Sequence, residues 1–184
     1  MSHKSTLHTA SVSRQRWETR SGTPCPLRFR EEPLATDIAS VREIVESSGF
    51  FYPAEIEVAC DLVRERLAKG TESGYYFLFA EEGRKDVGYT CFGPIPCTLD
   101  SYDLYWIAVH HARRGSGIGR DLLNRSEEVI RNMGGRRIYV ETSSRDLYRP
   151  TMAFYGACGY KIEATLEDFY APGDAKVILL KILS

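Results

Sequence analysis

Leu104-Tyr105-Trp106-Ile107-Ala108-Val109-His110-His111-Ala112-Arg113-Arg114-Gly115-Ser116-Gly117-Ile118-Gly119-Arg120 is the stretch from which the rest of the chain can be read. Its first six residues are continuously apolar or aromatic, the pattern of a central strand buried on both faces. Beyond the turn, Ile118, Leu122, Leu123, Val129, Ile130 and Met133 recur at helical spacing until Gly134 and Gly135 end the pattern. The sequence therefore places a glycine-rich turn between a buried strand and an amphipathic helix. Glycines let the backbone fold tightly with its N–H groups pointing inward. A helix N-terminus adds about half a positive charge, so a diphosphate suits such a turn. Arg113, Arg114 and Arg120 reinforce that sign. A merely tight turn accounts for one glycine, but not for three glycines and three arginines within eight residues.

Two common phosphate motifs are excluded by the letters. A P-loop needs Gly-Lys followed by Ser or Thr, and the chain has no Gly-Lys. The dinucleotide pattern of three glycines fails from either start, because Arg stands at 120 and Leu at 122. The turn also lies in mid-chain rather than in an opening βαβ unit.

Leu27-Arg28-Phe29-Arg30 alternates like a half-buried strand and stops at Pro33. Thr36 is placed to cap a helix with Ile38, Val41, Ile44 and Val45 on one face and Gly49 at its exit. Pro53 opens a second helix whose stripe is Ile56, Ala59, Cys60, Val63 and Leu67, ending before Gly70. Tyr75 to Ala80 and Val87 to Phe92, joined by a charged turn with Gly83, read as an antiparallel hairpin. Downstream of the central helix, Arg137 to Thr142 is a strand and Pro150 to Gly159 a short helix. Lys161 to Phe169 and Lys176 to Leu183 form a last hairpin around Ala171-Pro172-Gly173-Asp174.

With 184 residues, the chain is long enough for one domain with a sizeable core. Residues 1 to 23 are rich in Ser, Thr, Arg and His with few aliphatics, and are read as a disordered N-terminal tail ahead of a domain over residues 24 to 184. The 24 basic against 25 acidic residues leave no overall pull toward nucleic acid or an anionic membrane, so any anion site must be local. There is no apolar run long enough for a membrane span and no secretory leader pattern, so the cytoplasm is the default location. Five scattered cysteines do not make a disulfide framework, and no His or second Cys pair completes a metal site with Cys91 and Cys97.

The turn Arg114-x-x-Gly117-x-Gly119 resembles the pyrophosphate loop of the GNAT superfamily, which reads Arg or Gln, two residues, Gly, one residue, Gly or Ala. The order of elements from Leu27 to Leu183 follows the same superfamily. Ala153-Phe154-Tyr155 with Gly159-Tyr160 resembles its late aromatic-Tyr helix. The resemblance implies an α/β (α+β) fold with a central mixed, mostly antiparallel twisted sheet of six to seven strands flanked by about four helices. It also implies an acyltransferase using acetyl-CoA, with the primary amine of an amino-acid-like or cationic small molecule as acceptor.

Carried over by position, the resemblance assigns the backbone of Ile107, Ala108 and Val109 to the pantetheine arm. Arg114, Gly115, Ser116, Gly117, Ile118, Gly119 and Arg120 would hold the pyrophosphate. Tyr155 matches the residue that in many members protonates the departing thiolate; it can equally be a core tyrosine packed on Phe154. Many members carry a cofactor-contacting Asn seven residues before this Tyr, where Tyr148 stands here. In the family's usual mechanism the amine attacks the thioester directly and loses a proton to a carboxylate or water chain. The base candidates are Glu141 and, as an alternative, Asp103 with Tyr105 on the central strand, none distinguished by spacing, and Glu141 is also readable as a solvated or ion-paired strand end. Phe50, Phe51 and Tyr52, the Pro94 to Thr98 loop, and the Asp168 to Asp174 turn would surround the acceptor. Two other readings stay open: a protein N-acetyltransferase, and a non-catalytic acetyl-CoA sensor. The last hairpin offers an edge for a homodimer.

Overall fold

The computed structural model describes residues 26–184, so the expected N-terminal tail lies outside the described residues. Seven strands form one sheet in the order β1-β2-β3-β4-β5-β7-β6: β1 Leu27–Arg30, β2 Tyr76–Glu82, β3 Lys85–Pro94, β4 Ser101–Val109, β5 Arg137–Ser143, β6 Lys161–Ala171 and β7 Asp174–Ile182. All neighbours pair antiparallel except β4 with β5. The helices are α1 Asp37–Ser48, α2 Pro53–Lys69, α3 Ile118–Asn132 and α4 Arg149–Ala157. This is the mixed, mostly antiparallel sheet with four helices that the sequence led us to expect.

One face of the sheet is covered by α1 and α2, where Val41, Ile44, Val45, Ile56, Ala59, Cys60 and Val63 pack on Phe77, Phe79, Tyr89 and Cys91. On the other, Leu122, Leu123 and Ile130 of α3 and Tyr155 of α4 pack on β2 to β5 and β7. Burying each large apolar side chain contributes about 1.5–3 kcal/mol.

Several sequence expectations shift in detail. Leu67 of α2 is 40% exposed and Arg66 is buried in its stead. Arg66 donates to the Tyr75 carbonyl, pairs with Glu32 and lies over the Tyr76 ring, which compensates its burial. Met133 is 37% exposed because it falls just past the end of α3. Thr36 precedes α1 without a side-chain capping bond; Asp37, in the first turn, takes the Leu34 N–H instead.

The strand β4 is not buried on both faces throughout. Its parallel pairing with β5 covers only Ser101, Tyr102 and Asp103 against Arg137, Ile138 and Tyr139, although both strands continue. Beyond that point the two strands part. A bulge also falls here, since Cys91 and Phe92 of β3 face Trp106 and Leu104, leaving Tyr105 as the extra residue. Tyr105 is consequently 39% exposed.

Candidate active site

The parting of β4 and β5 opens a cleft of about 1230 Å³ that runs from the glycine turn to the loop between β6 and β7. Its floor is backbone. His110 donates to the Val87 carbonyl, so the antiparallel alternation turns the N–H and C=O of Ala108 toward β3 and those of Ile107 and Val109 toward the cleft. The same reasoning from the Ser144 to Ala175 bond puts the free backbone groups of Glu141 and Ser143 on the opposite wall. Of the three β4 residues expected to offer backbone, Ala108 lines the cleft but its amide and carbonyl face β3.

The turn from Arg113 to Arg120 forms one end. Gly115 and Gly117 hold φ of +75° and +90°, a region that side-chain-bearing residues rarely adopt, and Gly117 stands at the N-cap of α3. Gly119 has no such need, because a Cβ there would meet Phe154 and Val109 at ordinary contact distance. Arg114, Gly115, Gly117, Ile118, Gly119 and Arg120 line the cleft, as expected from sequence; Ser116 does not. Its hydroxyl donates to the Arg113 carbonyl at 2.6 Å and so ties the turn together from behind.

The arginines divide in role. Arg113 pairs with Glu82 of β2. Arg114 has no carboxylate partner among the described residues; its guanidinium lies 4.6 Å over the Phe50 ring, and desolvation lowers its pKa. A partly desolvated cation without a counter-ion is a place where an anion is stabilised.

Tyr155 lines the middle of the cleft although only 3% of its surface is exposed. Its ring is set edge-to-face on Phe154 and Tyr160, each at 5.3 Å, and burial raises its phenol well above the usual range. The group therefore stays protonated at neutral pH. The body of the residue is core, as one of the earlier alternatives had it, and the residue also faces the cleft.

Glu141 lines the opposite wall and is paired with Lys176 Nζ at 2.5 Å, with its side chain half exposed. Lys176 also sits 4.4 Å over the Phe169 ring. Burial raises the Asp103 carboxyl, and the Glu141 charge adds to the rise while Lys176 opposes it. Tyr105 lines the cleft with a phenol pushed up to about 12, first by burial and then by Asp103.

The end of the cleft away from the glycine turn gathers Phe50, Phe51 and Tyr52 from the α1–α2 connection and Tyr170 to Asp174 from the β6–β7 turn. The Pro94 to Thr98 loop does not reach it, being closed on itself by Ile95 and Thr98 bonds to Ser101 and Ile95. Asp168 is likewise absent from the lining, and its carboxylate accepts the Gly173 N–H at 2.7 Å to shape the turn. Tyr148 lines the roof, 6.4 Å from Phe50, ring to ring.

Sequence reasoning missed Glu55, Trp106, Ser143 and Arg145 as lining residues. The last two belong to a polar run, Thr142-Ser143-Ser144-Arg145, at the end of a strand, where side chains are often exposed to a ligand. Among the described residues, no group of three His, Cys, Asp or Glu is placed to hold a metal ion, and no helix is long and apolar enough to cross a membrane.

The sequence profile of the acetyltransferase (GNAT) family matches residues 40–160. A crystal structure from Desulfovibrio desulfuricans, assigned to the acetyltransferases of the GNAT family, shares 45% identity over 86% of this chain and 100% of that one, with a TM-score of 0.85. An aminoglycoside 6'-N-acetyltransferase complexed with coenzyme A shares the fold at 19% identity over 84% of this chain and 96% of that one, with a TM-score of 0.69. The ribosomal-protein-S18-alanine N-acetyltransferase of Escherichia coli shares it at 17% identity over 86% and 95%, again with a TM-score of 0.69. No curated protein matches the chain significantly.

Proposed function

The chain belongs to the GNAT acetyltransferase family and is an acyltransferase, and from that premise we propose that it moves an acetyl group from acetyl-CoA to the primary amine of a small molecule in the cytosol. The observation that carries this reading is the parted sheet. One cleft joins an anion cradle, two free strand edges, a protonated tyrosine and a carboxylate in a row. The four free cysteines among the described residues fit a reducing compartment.

The residues present fit acetyl-CoA. Arg114 and Arg120 with the N–H groups of Gly115 to Gly119 would hold the diphosphate at the start of α3. Ile107 and Val109 would pair their free backbone groups with the amides of the pantetheine arm, as an added strand does. The bound thioester supplies the acyl group. The C–N bond of the product amide forms as the C–S bond breaks. One of the outward N–H groups of β4, at Ile107 or Val109, would be left to stabilise the negative charge that grows on the carbonyl oxygen. Glu141, set beside Lys176, would take the proton that the amine gives up, and Tyr155 would give its own to the departing sulfur. Tyr148 would close the roof over the arm in place of the family's Asn.

The narrow roof, where Phe50 meets Tyr148 and Arg145 meets Tyr52, favours a small acceptor over a protein segment. The exposed, apolar edge of β6, with Ile162, Leu166 and Phe169 open to solvent, is where we place a homodimer contact.

Calorimetric titration with acetyl-CoA, set against an Arg114→Ala, Gly117→Ala double variant and a thiol-release assay over an amine panel, tests the reading. Tight binding that the variant loses, with thiol released by some amine, is the expected result. Absence of binding to the unmodified protein would sink it.

A further inference from the structure

The acceptor end of the cleft carries three carboxylates, Glu55, Glu141 and Asp174, and one guanidinium, Arg145. Each carboxylate is already engaged by the fold. Glu55 Oε2 accepts the Tyr52 N–H at 2.7 Å, and Glu141 is paired with Lys176. Asp174 Oδ1 takes the Ser143 hydroxyl at 2.5 Å, and its Oδ2 lies 3.3 Å from Arg145 Nε.

Arg145 shares Asp174 with the Ser143 hydroxyl and has further donors beyond that contact. Its Nε donates to Ser143 Oγ at 3.2 Å and its Nη1 to the Tyr52 phenol oxygen at 3.3 Å. The rings of Tyr52 and Tyr148 flank it at 5.9 and 5.4 Å, and its charge pulls down the Tyr148 phenol that burial raises. No carboxylate or carbonyl partner holds its Nη2 among the described residues. A phenol oxygen that accepts a guanidinium N–H keeps its own proton to donate. Arg145, Tyr52 and Tyr148 thus gather N–H and O–H donors around one positive charge on a cleft wall, the donor set that a carboxylate matches.

We propose that the acceptor bears a carboxylate as well as its amine, as an amino acid does, and that Arg145 receives that carboxylate. The proposal rests on the acetyl-transfer reading above and narrows it, because Glu141 and Asp174 are already paired with cations whereas Arg145 keeps donors that no carboxylate or carbonyl among the described residues takes. Arg145 acts as a specificity-determining residue. It takes no part in bond making.

The test measures thiol release from acetyl-CoA on matched sets of α-, β- and γ-amino acids, their amides and their decarboxylated amines, for the unmodified protein, Arg145→Met and Arg145→Lys. Titration of the same amino acids into CoA-saturated protein gives a readout that needs no turnover. The free acids are expected to exceed their amides by about tenfold or more in kcat/KM, the worth of a hydrogen bond to a charged group. Arg145→Met should erase that preference through KM while leaving the calorimetric affinity for CoA unchanged, and Arg145→Lys should restore part of it. Amino-acid binding that Arg145→Met removes, without thiol release in any protein, would uphold the carboxylate site and overturn acetyl transfer. Equal use of acids and amides by the unmodified protein, or no amino acid bound or acetylated, would overturn the proposal itself.

Discussion

The cradle end of the cleft comes from one unbroken stretch, Ile107 to Arg120, whereas the acceptor end is assembled from four separate ones: residues 50–55, 105–106, 141–148 and 170–174. The first is a local device, in which the φ angles and the helix start are set by neighbours in sequence. The second exists only because a sheet, two loops and a hairpin meet in space. An anion site of the first kind is stiff and general. A site of the second kind is where related proteins can differ while keeping the same chemistry.

That contrast can be broken most severely at Gly117. Its φ of +90° costs a β-branched residue about 1–3 kcal/mol, so Gly117→Val should lower acetyl-CoA affinity by up to about a hundredfold in calorimetry while the fold survives in circular dichroism. Unchanged affinity would mean that the cradle is not as local as its sequence. Of comparable size is Tyr155→Phe, which should reduce kcat by about a hundredfold and leave acetyl-CoA affinity alone. Burial raises the phenol, so its proton is held through pH 10 and is lost only above it. The alkaline fall in kcat should therefore lie above pH 10, and a fall nearer pH 8 would assign the donor elsewhere. The smallest effect sharpens the comparison. Gly119 sits in the first turn of α3 with room for a Cβ, so Gly119→Ala should keep or raise thermal stability, by up to about 1 kcal/mol, while weakening acetyl-CoA binding. A gain in stability with binding intact would show that this glycine serves neither fold nor ligand.

The difference in construction also explains what could be read from the letters. The strand, turn and helix around Arg114 were legible because 2.0 and 3.6 periodicities and glycine positions are local signals. The hairpins were legible for the same reason. Arg66 was not, because a buried arginine is tolerated only through Tyr75, Tyr76 and Glu32, and just the first two lie near it in sequence. The bulge at Tyr105 left no mark, since an extra aromatic residue in an apolar run looks like any other. Glu141 was named, but its tie to Lys176 depends on the register of β5 with β7. Arg145 escaped notice because its meaning comes from Tyr52, ninety-three residues away.

The short seam between β4 and β5, three residue pairs long, has a mechanical consequence. In a continuous sheet every ladder bond shares a load that tends to pull neighbouring strands apart. Here the strand ladder between β1 to β4 and β5 to β7 runs only over Ser101 to Asp103 among the described residues, and the strand edges beyond it are unpaired. A ligand laid along Ile107 and Val109 acts as thread in that seam. The amides of those two residues should then pass from rapid to slow deuterium exchange when the cleft fills, while the already zipped pairs of β2 and β3 change little.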